Sequence, residues 1–406
     1  MNIKNKILLC VFIILLTGCA TIAKQTKEAE IVLGIERIDE YAKLFAAKRV
    51  GLITNPTGIN RFGKTSIDIL NENVNLIALF SPEHGIRGSE REGANISNSI
   101  DKKTGLPVYS LYGNTKRPTK EMMEKIDMLC FDIQDVGARF YTYIYTMAYA
   151  MEAAFMYNKE FVVFDRPNPI SGTVEGNILQ KKFKSFVGYY PIVQRHGMTV
   201  GELAAMFNSE FGINCRLTVI PMQNWDRNKM FSDFHLMWIP TSPNIPKPKT
   251  ALIYVGMGMF EGVNVSVGRG TTMPFEYIGA PYMDAELTAF ELNKLKLSGV
   301  FFYPVYFTPS LSVYKNQNCQ GVQIIITDEK LFQPIKTALF MFETFKNLYP
   351  KKFKINNYGS SRCGLNLLTG CDDITKNDFN ALEFYKKVKH DTQIFKNKRE
   401  KYLLYK

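Results

Sequence analysis

Four histidines in 406 residues are too few and too scattered to hold a metal. His84, His196, His235 and His390 form no helical i, i+4 pair and no zinc-type spacing with cysteine, so no metal is expected. The chain has no Gly-x-Ser-x-Gly elbow, which removes the serine triad of the α/β-hydrolases. Gly256-Met257-Gly258-Met259-Phe260-Glu261-Gly262 carries dinucleotide-like glycines, but no acidic residue follows at the right distance in a βαβ unit. Cofactor-dependent chemistry is therefore not expected. There is no internal repeat and no low-complexity segment. The basic stretches Lys386-Lys387-Val388-Lys389 and Lys396-Asn397-Lys398-Arg399 lack interleaved stacking aromatics, which argues against a nucleic-acid partner.

What remains is a globular body. Hydrophobic content of 46% with charged content of 22% excludes disorder, and the length favours two domains. The formal charge is +12, read as a lysine-rich surface. Lys4 and Lys6 precede an apolar stretch from Ile7 to Leu16 that is too short to span a bilayer of roughly 30 Å. Leu16-Thr17-Gly18-Cys19 then looks like a bacterial lipobox. Residues 1–18 are expected to be a lipoprotein signal peptide and Cys19 the lipidated first mature residue. Ala20 after it resembles the signal for outer-membrane sorting, so the periplasmic face of that membrane is the expected address. Residues 19–30 form the lipidated tether. Cys130, Cys215, Cys319, Cys363 and Cys371 remain, an odd number that forbids complete pairing. Cys130 reads as a buried thiol, and Cys363 and Cys371 can pair only if the loop between them closes.

From 31 to 245, short apolar runs alternate with helical periods, the pattern of an α/β domain with a mostly parallel sheet. Strands are expected at Val50–Thr54, Leu76–Phe80, Val108–Leu111, Met128–Ile133, Phe161–Asp165 and Leu217–Ile220. Phe140, Tyr143, Ile144, Met147 and Met151 give a core-facing helical stripe from Arg139 to about Tyr157. Thr199 with Glu202 forms a capping box before Leu203 to Phe207. The proline-dense run Ile239 to Pro248 is stiff, either a boundary or a strap at the edge of a cleft. Residues 246–406 read as a smaller α+β domain, with a strand from Gly321 to Thr327 and a helix from Leu331 to Leu348.

Polar residues gather just past the strand ends, where ligands bind in open α/β sheets. Phe80-Ser81-Pro82-Glu83-His84-Gly85 sets a carboxylate beside an imidazole between a proline and a glycine. Arg87 follows. Asp132, Gln134, Asp135 and Arg139 follow the fourth strand, and Asp165, Arg166 and Asn168 the fifth, leading on to Glu175. Such a rim suits a polyhydroxylated, partly anionic ligand. Two carboxyl groups across a cleft would cleave a glycosidic bond, one as acid and the other as nucleophile or base. Glu83 is the acid/base candidate. His84 either tunes it or caps the turn. The second carboxylate is one of Glu175, Glu276 and Asp135. Arg139, Arg269 and Arg87 are candidates for reading a substrate carboxylate, and each can instead brace a nearby acid.

These motifs carry a family resemblance. Glu83-His84-Gly85, Phe131 to Tyr143, Asp165-Arg166-Pro167-Asn168-Pro169, Glu175-Gly176, Arg195 to Thr199, Ser242-Pro243-Asn244-Ile245-Pro246 and Glu261 to Thr272 resemble the bacterial exo-β-N-acetylmuramidase family typified by NamZ. The match runs from about residue 31 to Tyr405. It implies a Rossmann-like domain, a smaller C-terminal domain and an active site in the cleft between them, with Asn244 among the substrate-binding residues. It also implies release of terminal N-acetylmuramic acid from peptidoglycan fragments, without a cofactor. The rival expectation is a non-catalytic lipoprotein that binds peptidoglycan. The two differ in whether Glu83 is needed.

Overall fold

The apolar runs become a seven-stranded sheet in the computed structural model, which describes residues 29–83, 85–87, 99–113, 115–356 and 363–405. Cys19, the expected signal segment and His84 lie outside the described residues. The strands are β1 (Val50–Thr54), β2 (Leu76–Ser81), β3 (Ser99–Ile100), β4 (Pro107–Ser110), β5 (Met128–Asp132), β6 (Glu160–Phe164) and β7 (Arg216–Ile220). Their order is β3-β4-β2-β1-β5-β6-β7, and every pairing is parallel except β3 with β4. Without β3 this is the strand order of a doubly wound Rossmann sheet, reversing direction between β1 and β5. Val50–Thr54 and Met128–Asp132 are buried at every position. Helices cover both faces of such central strands, so they read as continuous apolar runs. The exposed two-residue β3 has no such run, and the sequence gives no sign of it.

The longer helices among these strands are α1 (Ser66–Asn73), α2 (Tyr143–Met156) and α3 (Val200–Glu210). α3 starts where the capping box predicts. Thr199 Oγ1 accepts from Glu202 N at 3.2 Å, and Glu202 Oε2 accepts from Thr199 N at 3.0 Å. α2 starts four residues later than expected. Arg139 N–H donates to Gln194 O at 2.7 Å, and Ala138 bridges Arg195. Residues 138 and 139 are thus drawn onto a neighbouring extended segment instead of winding into the helix.

Beyond the proline-dense run come α4 (Pro248–Met257), β8 (Tyr277–Ala280), α5 (Ala285–Lys294), β9 (Val300–Phe307), β10 (Cys319–Ile326), α6 (Pro334–Leu348) and α7 (Ala381–Arg399). The three strands form a smaller antiparallel sheet, β8-β10-β9. α4 and α6 both begin with proline, whose missing N–H costs nothing in a first turn. One core packs α2 and α3 against the large sheet. The other joins α4, α6 and the small sheet, and takes in Val136, Ala138 and Phe140 from the first half of the chain.

Val32–Lys406 form one compact unit. Part of the reason lies in residues 399–405, which return to the first sheet. Tyr405 Oη donates to Asp165 Oδ2 at 2.5 Å and accepts from Met222 N at 2.8 Å. Leu404 N donates to Glu202 Oε1 at 2.9 Å, and Arg227 donates to Tyr405 O at 2.8 Å. Cys130 is buried, and Cys363 and Cys371 are separate thiols. No helix among the described residues is long and apolar enough to cross a membrane. No cluster of His, Cys, Asp or Glu among them could hold a metal ion.

Candidate active site

Most of the rim expected to face a ligand faces itself. Asp132, at the end of β5, is fully buried and takes a forked contact from Arg166, with Nε at 2.5 Å and Nη2 at 2.8 Å. Ser66 Oγ closes on the same carboxylate. Gln134 donates to the carbonyls of Asp135 and Pro167, both at 2.8 Å. Asn168 binds Met198 O at 3.0 Å and Ile170 N at 3.1 Å. Asp165 accepts from Thr199 Oγ1 and Gly201 N as well as Tyr405. The crevice beside Gln134 and Arg166 is only about 20 Å³, with Phe231, Leu236, Met237 and Trp238 packed around it. The crevice at the strand-order reversal is filled by the chain's own residues. Asp132, Gln134, Asp165, Arg166 and Asn168 are thus engaged with the scaffold, and none of them lines the open cleft.

Four other expected site residues receive different placements. Arg139 has no exposed surface, and its guanidinium donates to the carbonyls of Asn177, Ile192 and Leu368 at 2.9–3.1 Å. Arg87 forks onto Asp101 at 2.9 Å. Glu175 is buried and accepts from Lys336 N at 3.0 Å, so it caps the first turn of α6 from across the chain. Glu276 receives Thr250 Oγ1 at 3.4 Å. None of the four lines the open cleft.

Asp135 is also interior. One oxygen accepts from Gly137 N at 2.8 Å, where φ of +83° demands glycine, and the other has no partner. His196 Nε2 stands 3.9 Å from the carboxylate. Burial pushes the Asp135 carboxyl up to about 7 and the His196 imidazole down to about 3. The unfolded Asp ionises near 4, so the folded chain holds this proton longer. The stability it contributes is complete below about pH 4 and is lost as pH rises to about 7. Asp135→Asn removes that loss while keeping an acceptor for Gly137. The variant should match wild type in melting temperature near pH 4 and exceed it at pH 8, by about 2–4 kcal/mol in stability. Equal melting temperatures at both pH values would assign the carboxylate no such cost.

The open cleft lies to one side of the rim. It is a cavity of about 250 Å³, lined among others by Glu83, Thr142, Asn244, Glu261, Arg269 and Phe275. Glu83 follows β2, half-buried, and accepts from Thr142 Oγ1 at 3.3 Å at the start of α2. Tyr141 and Tyr143 flank that threonine and reach the proline-dense run, with Tyr141 Oη on Thr241 Oγ1 at 3.0 Å and Tyr143 Oη on Thr241 O at 2.6 Å. The run is thus a strap at the cleft edge, and it brings Ser242, Asn244 and Ile245 into the lining. Phe140, Tyr141, Tyr254 and Phe275 pack edge to face and build an aromatic wall. From the second half of the chain, Glu261 and Arg269 enter as an ion pair at 2.6 Å.

Of the expected site residues, the structure brings Glu83, Asn244 and Arg269 to one cleft. Glu261 was not among the carboxylates singled out. Its local sequence looked like a failed nucleotide loop, and the signal that marks it is Arg269 eight residues on, in the same motif.

Two adjoining sequence families match the chain: "Exo-beta-N-acetylmuramidase NamZ, N-terminal" over residues 50–249 and "Exo-beta-N-acetylmuramidase NamZ, C-terminal" over residues 252–405. The peptidoglycan beta-N-acetylmuramidase NamZ of Bacillus subtilis is 47% identical over 386 residues, 93% of this chain and 92% of that one. Two crystal structures of DUF1343 family proteins from Bacteroides fragilis share the fold. One has a TM-score of 0.87 at 40% identity, the other 0.74 at 34%, and each comparison covers 93% of this chain and 99% of the other. By sequence along nearly its whole length, and by fold, the chain belongs to the exo-β-N-acetylmuramidase NamZ family.

Proposed function

We propose that the chain is an exo-acting glycoside hydrolase that releases the terminal non-reducing N-acetylmuramic acid from peptidoglycan fragments during cell-wall turnover and recycling. The observation that carries this reading is the pair Glu83 and Glu261, which enter one aromatic-walled cleft from opposite halves of the chain. Glu83 serves as the acid that protonates the leaving oxygen. Glu261, held by Arg269, is the charged partner across the cleft. A volume of about 250 Å³ lies just below the usual range of ligand sites, roughly 300–1,000 Å³, which suits one terminal sugar. The test is incubation with a chromogenic β-MurNAc glycoside and its GlcNAc counterpart. Turnover of the first in preference to the second is expected, and turnover of neither would leave a binding protein.

The two sugars differ by a lactyl ether bearing a carboxylate. Arg269 is the arginine among the three candidates that lines the cleft, and a planar guanidinium suits a carboxylate. Arg269→Ala is expected to raise KM for the MurNAc glycoside more than for the GlcNAc analogue. Loss of one charged hydrogen-bond pair, about 1.5–3 kcal/mol, sets the size. If the variant slows both substrates equally, Arg269 acts only by holding Glu261.

We also read residues 1–30 as a signal and tether that place the enzyme, through Cys19, on the periplasmic face of the outer membrane. The order of Lys4, Lys6, the apolar stretch and Leu16-Thr17-Gly18-Cys19 supports this. Cys19→Ser should abolish incorporation of labelled fatty acid and release the protein from membrane fractions. Unchanged labelling would refute the anchor.

A further inference from the structure

A second cavity, of about 470 Å³, shares no lining residue with the cleft. Arg195 and Glu175, joined by a backbone bridge, lie against it, and both are more than nine-tenths buried. Glu175 is committed to capping α6, and no ion pair joins it to Arg195. Arg195 Nη2 donates to Ile170 O at 2.6 Å, while its Nε has no partner. A buried guanidinium thus lines the cavity.

The rim adds three exposed cations: Lys330, in the loop before α6, and Lys389 and Lys396, two turns apart on one face of α7. None of the three pairs with a carboxylate among the described residues. Other lysines of the same helix do: Lys386 with Glu383, Lys387 with Asp373 and Lys398 with Glu210, at 2.7–2.9 Å. On α7 the cavity-facing lysines are the ones left uncompensated. Between the charges lies an apolar wall that includes Tyr385, 6% exposed.

We propose that this cavity binds a short acidic peptide. Its carboxylates meet Lys330, Lys389 and Lys396, a further acceptor meets Arg195, and its side-chain methylenes lie on Tyr385. A bare inorganic anion would satisfy the cations and leave the apolar wall in water, so the mixed lining favours a peptide. Fragments of peptidoglycan carry peptides on their sugars, and such a site would hold them by a part the cleft does not process. The proposal goes beyond the hydrolase reading and is tested by binding alone, so either can fail without the other.

The probe is a fluorescein-labelled tri-glutamate peptide, titrated with the full chain and followed by anisotropy. Saturable binding is expected. Lys330→Ala, Lys389→Ala and Lys396→Ala together should weaken it about tenfold, the sum of three modest charge contacts. The control triple, Lys386→Ala, Lys387→Ala and Lys398→Ala, should bind as wild type, and inorganic phosphate should displace the peptide no better than chloride at matched ionic strength. The proposal is overturned if wild type shows no saturable binding or if both triples weaken it alike. Displacement by phosphate where matched chloride fails would also overturn it, assigning a small-anion site instead.

Discussion

Glu83→Gln is expected to fold as wild type and to lose about 10²–10⁴-fold in turnover of a β-MurNAc glycoside, the usual size of a general-acid contribution. The carboxylate is half-buried in the cleft wall and, among the described residues, accepts from Thr142 Oγ1 at 3.3 Å. The amide can accept that same hydrogen bond, so structure is spared. It cannot deliver a proton to a leaving oxygen at neutral pH, so chemistry is not. Substrate affinity should persist, because the aromatic wall and Arg269 are untouched. Circular dichroism and single-turnover kinetics separate the two outcomes. Turnover within a few-fold of wild type would remove Glu83 from the mechanism and revive the non-catalytic binder.

The second large effect is on stability. Arg166→Ala should cost about 3–5 kcal/mol, the usual result of stripping the partner from a buried charge. Asp132 has no exposed surface and takes two of its contacts from Arg166. Replacing both, as Asp132→Asn with Arg166→Leu, should recover a good part of the loss, since the double change leaves no orphaned charge. Denaturant titration measures both. Were Arg166 a substrate ligand instead, the single variant would keep its midpoint and raise KM.

The contrast between these two residues marks where sequence reading succeeds and where it stops. β1, β2, β4, β5, β6 and β7 were legible because each is an apolar run closed by turn-forming residues, and Thr199 with Glu202 announced α3 outright. Glu83 could be singled out because a turn alone does not call for that chemistry after a strand, and the fold sets it in the cleft wall. Arg166 and Asp132 follow strands as well, and nothing local separates a polar group that meets a ligand from one that meets its neighbour. Only burial and partner geometry do, and both are properties of the folded chain. Glu175 shows the same limit over a longer span, since the N–H groups it caps lie about 160 residues away. The start of α2 was hidden because the competitor for Arg139 N–H is the carbonyl of Gln194.

Tyr405 gives the molecule a dependence on the order of synthesis. Asp165 directly follows β6 in the first half of the chain, and burial pushes its carboxyl up to about 7. The hydroxyl that completes its shell arrives 240 residues later. A nascent chain that has made all seven strands of the large sheet still carries Asp165 without that donor, and Arg227 without the carbonyl it will hold. The first half must therefore wait, incompletely satisfied, until residues 404 and 405 have been made and fold back. A fragment ending near residue 249 would be held permanently at that stage. The boundary between the two matched sequence families is a seam in the sequence, not a place where the protein can be cut.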